Sequence, residues 1–297
     1  MAAMTSVPAE YLNALSRFAA AAALCAALAA CETVGSFGPG GSNPSSSIAE
    51  LEDASQSGAS ANNIASLGEV IQRNPNDQQA YNARGAAYAR AGRYNDAIGD
   101  FTQAIRLDPN MASALTNRGL AYRASSRPDQ AMNDFNRSIS VDAKYAPAYV
   151  ARGNLLRARG ELPVALGDLT RAIELQPTSA EAYHARGLIH QSQGQHPQAI
   201  SDFDAALDRN PYVAAPYQAR GQSYIAVGKF DGAVEDFNSA LNVDAQNSDA
   251  WAGRGIAFER LGDRKQAAES FQRALTVNER NPIARAGLAR VGGAFSR

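Results

Sequence analysis

From Tyr81 onward the apolar and polar positions of this chain fall into one arrangement that returns every 34 residues. Its marker is an Arg-Gly pair, at Arg84-Gly85, Arg118-Gly119, Arg152-Gly153, Arg186-Gly187, Arg220-Gly221 and Arg254-Gly255. Four positions before each glycine stands a large residue (Tyr81, Leu115, Tyr149, Tyr183, Tyr217, Trp251), and three after it another (Tyr88, Tyr122, Leu156, His190, Tyr224, Phe258). Spacings of three, four and seven put these on one face of a helix. A second run carries alanine twelve after the glycine (Ala97, Ala131, Ala165, Ala199, Ala233, Ala267) and a large residue sixteen after it (Phe101, Phe135, Leu169, Phe203, Phe237, Phe271). A small residue closes that run nineteen after the glycine (Ala104, Ser138, Ala172, Ala206, Ala240, Ala274), giving a second helix.

Turn signals separate the two helices. Gly92, Gly160, Gly194, Gly228 and Gly262 suit the left-handed position that ends a helix, with Ser126 in the second copy. Pro128, Pro163 and Pro197 stand where the second helix begins; Pro109, Pro177 and Pro211 stop it. The unit is therefore an antiparallel helix pair, and a fixed period of this length signals a stacked repeat. Gly85 and its counterparts, with the alanines of the second helix, read as places where two helix backbones approach too closely for a side chain. Added volume there is expected to cost roughly 1–3 kcal/mol. An aspartate stands fifteen after the glycine in five copies (Asp100, Asp134, Asp168, Asp202, Asp236), with Ser270 in the sixth. Folding the hairpin about its turn predicts an Arg–Asp pair inside each of the first five units.

Tyr81, Gly85, Tyr88, Ala97, Phe101, Ala104 and Pro109, with their later counterparts, resemble the tetratricopeptide repeat (TPR) family. The resemblance covers about residues 78–281. It implies an all-α superhelical solenoid of six hairpins, 78–111, 112–145, 146–179, 180–213, 214–247 and 248–281. Residues 48–77, with IAELEDA (48–54) and NNIASLGEVIQRNP (62–75), read as a degenerate N-terminal helix pair. Residues 282–297 read as a C-terminal cap helix, with Arg285 and Arg290 facing water.

The family's geometry implies a partner-binding groove along the first helices, for other proteins or peptides. Its candidate residues here are Asn82, Thr116, Asn117, Leu120, Arg123, Asn154, Arg157, His184, Leu188, Gln191, Gln218 and Gln222. Amides would pair with an extended peptide backbone, Leu120 and Leu188 would take apolar side chains, and Arg123 and Arg157 would favour an acidic partner. TPRs that clamp a chain-terminal carboxylate use Lys and Asn. Those Lys positions hold Asn82 and Pro147 here and only Asn117 matches, so no such clamp is expected. Ile283, Leu288 and Val291 offer a surface for a homodimer.

Composition adds little chemistry. Apolar residues make up 45% and the formal net charge is -1, which gives no reason to expect nucleic acid. His184, His190 and His196 are six apart, so successive ones turn about 240° around a helix and share no face as metal ligands. His190 fills a large-residue core position and His196 falls in the turn. No nucleophile elbow, phosphate loop or HExxH is present. An interaction protein is expected, not an enzyme, with no cofactor and no metal.

Both cysteines lie near the N-terminus. Residues 18–30 are apolar, too short a run for a spanning helix, and fit the core of an export signal. Leu28–Cys31 reads LAAC and resembles a bacterial lipobox, which implies cleavage after residue 30 and a covalent lipid on Cys31. Cys25 does not fit, because Leu24 precedes it. Met1 and Met4 are both possible starts. Residues 31–47 then form a Gly/Ser/Pro tether reaching roughly 20–25 Å. Glu32 after the cysteine favours the outer membrane, periplasmic side, by analogy with enteric sorting rules. The combined architecture resembles the NlpI-type envelope lipoproteins, which implies an envelope scaffold. The alternatives are a pilotin-like assembly factor, and a cytoplasmic TPR adaptor whose apolar start is misassigned.

Overall fold

The computed structural model describes the backbone of residues 57–292 and the side chains of 63–292. The signal at 1–30, Cys31, the tether at 31–47 and the IAELEDA segment lie outside those residues. Of the N-terminal helix pair, the described part is one helix, α1 (Ser57–Arg73). The chain divides into two compact units at Pro177/Thr178.

The first unit continues with three hairpins: α2 (Gln78–Arg90) and α3 (Tyr94–Leu107), α4 (Ala112–Ala124) and α5 (Pro128–Val141), α6 (Ala146–Ala158) and α7 (Leu162–Leu175). The second holds α8 (Ala180–Ser192) and α9 (His196–Arg209), α10 (Ala214–Ala226) and α11 (Phe230–Val243), α12 (Ser248–Leu261) and α13 (Arg264–Val277), then α14 (Pro282–Gly292). All are α-helices, and among the described residues no strand occurs. Within each unit a second helix packs against the first helix of its own hairpin and of the next. First helices approach one another more closely than second helices do, so they form the inner side of each stack.

Local chemistry fixes the helix ends. Asp77, Ser179 and Asn247 cap first helices, accepting from the N–H groups of Ala80, Ala182 and Ala250. The five turn glycines have φ between 71° and 85°, and Ser126 adopts the same left-handed conformation at 60°. The chain then bonds back, as when Arg93 N–H donates to the Tyr88 carbonyl at 2.9 Å.

The Arg-Gly glycines serve close packing, against backbone as expected, where a Cβ on Gly85 would stand 3.2 Å from the Ala97 carbonyl oxygen, and more tightly against a large side chain. A Cβ on Gly119 would stand 2.5 Å from the Phe135 ring, and on Gly255 2.6 Å from Phe271; in the third hairpin Leu169 takes the ring's place, 2.9 Å from Gly153. Helix axes 8–10 Å apart leave a gap that one large side chain fills, so the partner helix gives up its own. The same rings reach the following first helix: a Cβ on Gly253 would meet Phe237 at 2.4 Å, and on Gly287 it would meet Phe271 at 2.3 Å. Each ring is thus a plug at a junction of three helices, fully buried.

One expectation at the C-terminal end changes. Val291 is buried against Phe271 in the chain's own core and is not open to a second copy. Arg285 and Arg290 are both exposed, and Arg290 also closes on Glu259 through two bonds of 2.6 and 2.7 Å.

Candidate functional site

The Arg-Gly arginines join the two helices of each of the first five hairpins. Arg84, Arg118, Arg152, Arg186 and Arg220 each donate Nε and Nη2 to the two oxygens of Asp100, Asp134, Asp168, Asp202 and Asp236, at 2.6–2.9 Å. The bidentate geometry matches a planar fork to a planar acceptor. Hydrogen bonding to the aspartate raises the pKa of Arg84, Arg118, Arg152 and Arg186. For Arg220, burial alone would lower it, but Asp236 and Asp204 outweigh burial and raise it. Tyrosines flank several forks, as Tyr81 and Tyr88 do Arg84 at 5.7 and 5.8 Å.

The remaining fork nitrogen was not anticipated. Nη1 of Arg118, Arg152, Arg220 and Arg254 donates to Thr102, Asn136, Asp204 and Asn238 of the preceding hairpin, at 2.6–3.1 Å. The arginine therefore ties hairpin to hairpin as well as helix to helix. The readable signal was a column of polar residues one position beyond the buried ring.

The proposed groove residues divide. Thr116 and Asn117 are buried, not groove-lining. Thr116 hydroxyl donates to Ser138 at 2.8 Å, and Ser138 donates to the Ala112 carbonyl at 2.9 Å. Asn117 Nδ2 donates to Asn82 Oδ1 at 3.1 Å. Thr116 pairs within its own hairpin and Asn117 with the preceding one, which turns that part of the row inward. Gln191 is also engaged, donating to the Ala219 carbonyl at 2.7 Å and to Ser223 Oγ at 2.9 Å, and Gln218 accepts from Asn247 at 2.8 Å. Both bond across hairpins of the second unit. His184 lies with its ring 5.8 Å from Phe203. Leu120, Arg123, Asn154, Arg157, Leu188 and Gln222 remain half-buried on the first-helix faces. Leu120 and Leu188 also pad the cores beneath them.

The histidines stay apart. His190 Nδ1 bonds Gln195 Oε1 at 2.7 Å, and His196 is the first residue of α9 rather than part of the turn. Burial lowers the His196 pKa, and its Nδ1 is buried without a hydrogen-bond partner. A base with a depressed folded pKa favours the unfolded state once protons bind. Its stabilising contribution is present above the ordinary histidine range, near about 6.5, and is lost as pH falls through the lower folded value. Urea midpoints taken across that interval should therefore fall with pH less steeply in His196→Gln than in the parent chain. Among the described residues no cluster of His, Cys, Asp or Glu could hold a metal, and no helix is long and apolar enough to cross a membrane.

Comparison with known proteins agrees with this architecture. Models of the tetratricopeptide repeat match residues 79–111, 112–145, 180–212, 219–282 and 254–292, and a TPR repeat model matches 153–194. Together they span more than half of the chain. No curated protein sequence matches it. Among solved structures, it is similar to PilF of Pseudomonas aeruginosa, at 17% identity and TM-score 0.66, covering 72% of this chain and 97% of that one. PilW, a widely conserved type IV pilus biogenesis factor, aligns at 19% identity and TM-score 0.63, covering 71% and 98%. The Cut9–Hcn1 hetero-tetramer of the APC/C aligns at 16% identity and TM-score 0.71; the match covers 82% of this chain but about half, 48%, of that one.

Proposed function

Because the chain belongs to the tetratricopeptide repeat family, we propose that it is a protein–protein interaction scaffold of the bacterial cell envelope, exported and held at a membrane through lipid on Cys31. The interaction role is supported by the stacked first helices, whose faces carry half-buried amides, leucines and arginines rather than a catalytic constellation. The location is supported by LAAC at Leu28–Cys31 after an apolar run, followed by a Gly/Ser/Pro tether. The anchor would be a thioether on the Cys31 sulfur with further acylation of its amine. More than one acyl chain makes such attachment stable, whereas a single chain binds only marginally. The scaffold would then gather envelope proteins, such as those that remodel peptidoglycan, near one membrane surface on the periplasmic side. No chemistry at a small-molecule centre is part of this reading, and a homodimer remains a feature of it only through the half-buried Ile283 and Leu288.

Radiolabelled palmitate should enter the parent chain and not Cys31→Ala. Crosslinked partners recovered from membranes should decline in the same variant. Unlabelled parent chain found in the cytosol would defeat the envelope reading. A second reading is an assembly factor for a secretion or pilus apparatus, the class of role that PilW's name states for PilW. Deletion separates the two: lost secretin multimers favour assembly, and altered cell shape with intact multimers favours the scaffold.

A further inference from the structure

The first helices of the first unit, α2, α4 and α6, carry arginines but no aspartate or glutamate. Arg84, Arg118 and Arg152 are answered by aspartates of the second helices. Arg157 is not. Its Nε is buried and donates to no acceptor. Burial and the nearby Arg123 charge both oppose its protonation, lowering its pKa. A guanidinium nevertheless stays charged in a protein. The folded chain therefore holds a cation that is partly stripped of water and faces a like charge, an arrangement that costs stability unless an anion arrives.

The second unit provides the contrast. The column that holds Arg123 and Arg157 in the first unit continues there as Gln191, Ile225 and Glu259. Gln191 is hydrogen-bonded and Glu259 is neutralised by Arg290. Within this column, the arginines that call for an anion stand in the first unit.

We infer that the first-helix face of the first unit binds an acidic segment of a partner protein, with one carboxylate side chain seated at Arg157 beside Arg123. This rests on the interaction-scaffold reading and narrows its partner class. The terminal Nη1 and Nη2 of Arg157 offer a bidentate fit to a carboxylate, since Nε is buried, and Arg123 adds charge without a second contact being required. Leu120, half-buried three residues before Arg123, can take an apolar side chain next to the acid. The site differs from a chain-terminal clamp, because it reads a side chain and needs no free C-terminus. A nucleic acid is the poorer occupant: the chain's formal net charge is -1, and duplex binding draws on a broad basic field.

The test is fluorescence anisotropy on the purified full chain, with a labelled Glu-Leu-Gly repeat peptide, N-acetylated and C-amidated, and its Gln-Leu-Gly counterpart. The acidic peptide should bind about tenfold or more tightly than the neutral one in about 50 mM NaCl, with the gap closing in about 300 mM. Arg157→Gln should abolish that gap and should also raise the melting temperature of the free chain, because it removes a half-buried cation whose Nε has no acceptor. Equal binding of the two peptides, a gap that survives Arg157→Gln, or a lower melting temperature in that variant would each overturn the assignment. If Arg157→Gln fails to fold, Arg123→Gln provides the deciding measurement: it should narrow the gap, and an unchanged gap in it would overturn the assignment. Displacement of the acidic peptide by inorganic phosphate at equal concentration would reassign the site and also overturn it. None of these failures touches the palmitate and crosslinking results, so the scaffold reading stands or falls separately.

Discussion

Phe237→Ala is expected to lower the stability of the second unit by about 3–5 kcal/mol, at the upper end of the usual cost for a buried aromatic. Phe237 has no exposed surface, and its ring lies against the backbone at both Gly221 and Gly253. A cavity opened beside two glycines has no neighbouring side chains there to lean into it. The ring also joins a cluster formed by Ala233, Ala240, Leu241, Ala250 and Ala257, all small or already packed. Trp251 packs on the same cluster and is the chain's single tryptophan, so its emission reports this junction directly. Urea unfolding followed by tryptophan fluorescence should show the midpoint fall in Phe237→Ala and a smaller fall in Phe237→Leu. Leucine at this position has a precedent in the third hairpin, where Leu169 faces Gly153. Because repeat stacks are stabilised between nearest neighbours, α2 to α5 should keep their hydrogen-exchange protection. A loss below about 1 kcal/mol would show that the ring is not the filler of this junction.

The hairpin fold was legible because its residues obey a period, and a period averages away local exceptions. The glycine, the plug and the capping turns recur in every unit, so their roles could be read without coordinates. The groove depended on the opposite kind of information. The column places Thr116 in the groove, yet Thr116 is buried, as Val150 and Ala252 of the same column are, and its hydroxyl pairs with Ser138, which stands where the other five units have alanine. Two polar exceptions in one hairpin were the sign of a buried hydrogen bond, and a column reading treats each exception alone. Asn117 carries the same lesson: the column two before the glycine is otherwise alanine or glycine, Ala83, Ala151, Ala185, Ala219 and Gly253. A small-residue column marks contact with the preceding plug, so its asparagine belongs to the interior. At the glycine the spacing shows the close approach of two helices but not that a large side chain fills most of the gap beside the backbone.

Asp134→Ala is expected to cost about 3–5 kcal/mol, comparable to deleting an aromatic plug although only a carboxylate is removed. The loss comes from what remains. Arg118 and Asp134 have side chains 15% and 8% exposed, and their two bonds are both 2.7 Å. Without the aspartate, the Arg118 fork keeps only Thr102 at 3.1 Å and the Tyr122 ring at 5.7 Å, too little to replace its lost hydration. The double variant Arg118→Met/Asp134→Leu should recover most of the stability, because neither charge is then left buried and the volume is retained. Thermal or urea unfolding of the single and double variants measures the coupling. If the double variant is as unstable as the single, the pair is intrinsically stabilising rather than mutually obligatory. The sixth hairpin shows how an unpaired arginine is accommodated. Arg254 faces Ser270 at 3.1 Å instead of an aspartate, and burial lowers its pKa. There the Trp251 ring lies 4.4 Å from the guanidinium and Asn238 accepts at 2.9 Å. Asp134→Ser, which copies the residue but not the tryptophan, should therefore remain closer to Asp134→Ala than to the parent. Adding Tyr122→Trp would not substitute for it, because Trp251 sits on the other side of the glycine, at the position of Leu115. Leu115→Trp, which copies the sixth hairpin at that position, should not restore stability alongside Asp134→Ser, because Leu115 is fully buried and the larger ring overpacks its site; urea midpoints of the two variants check this.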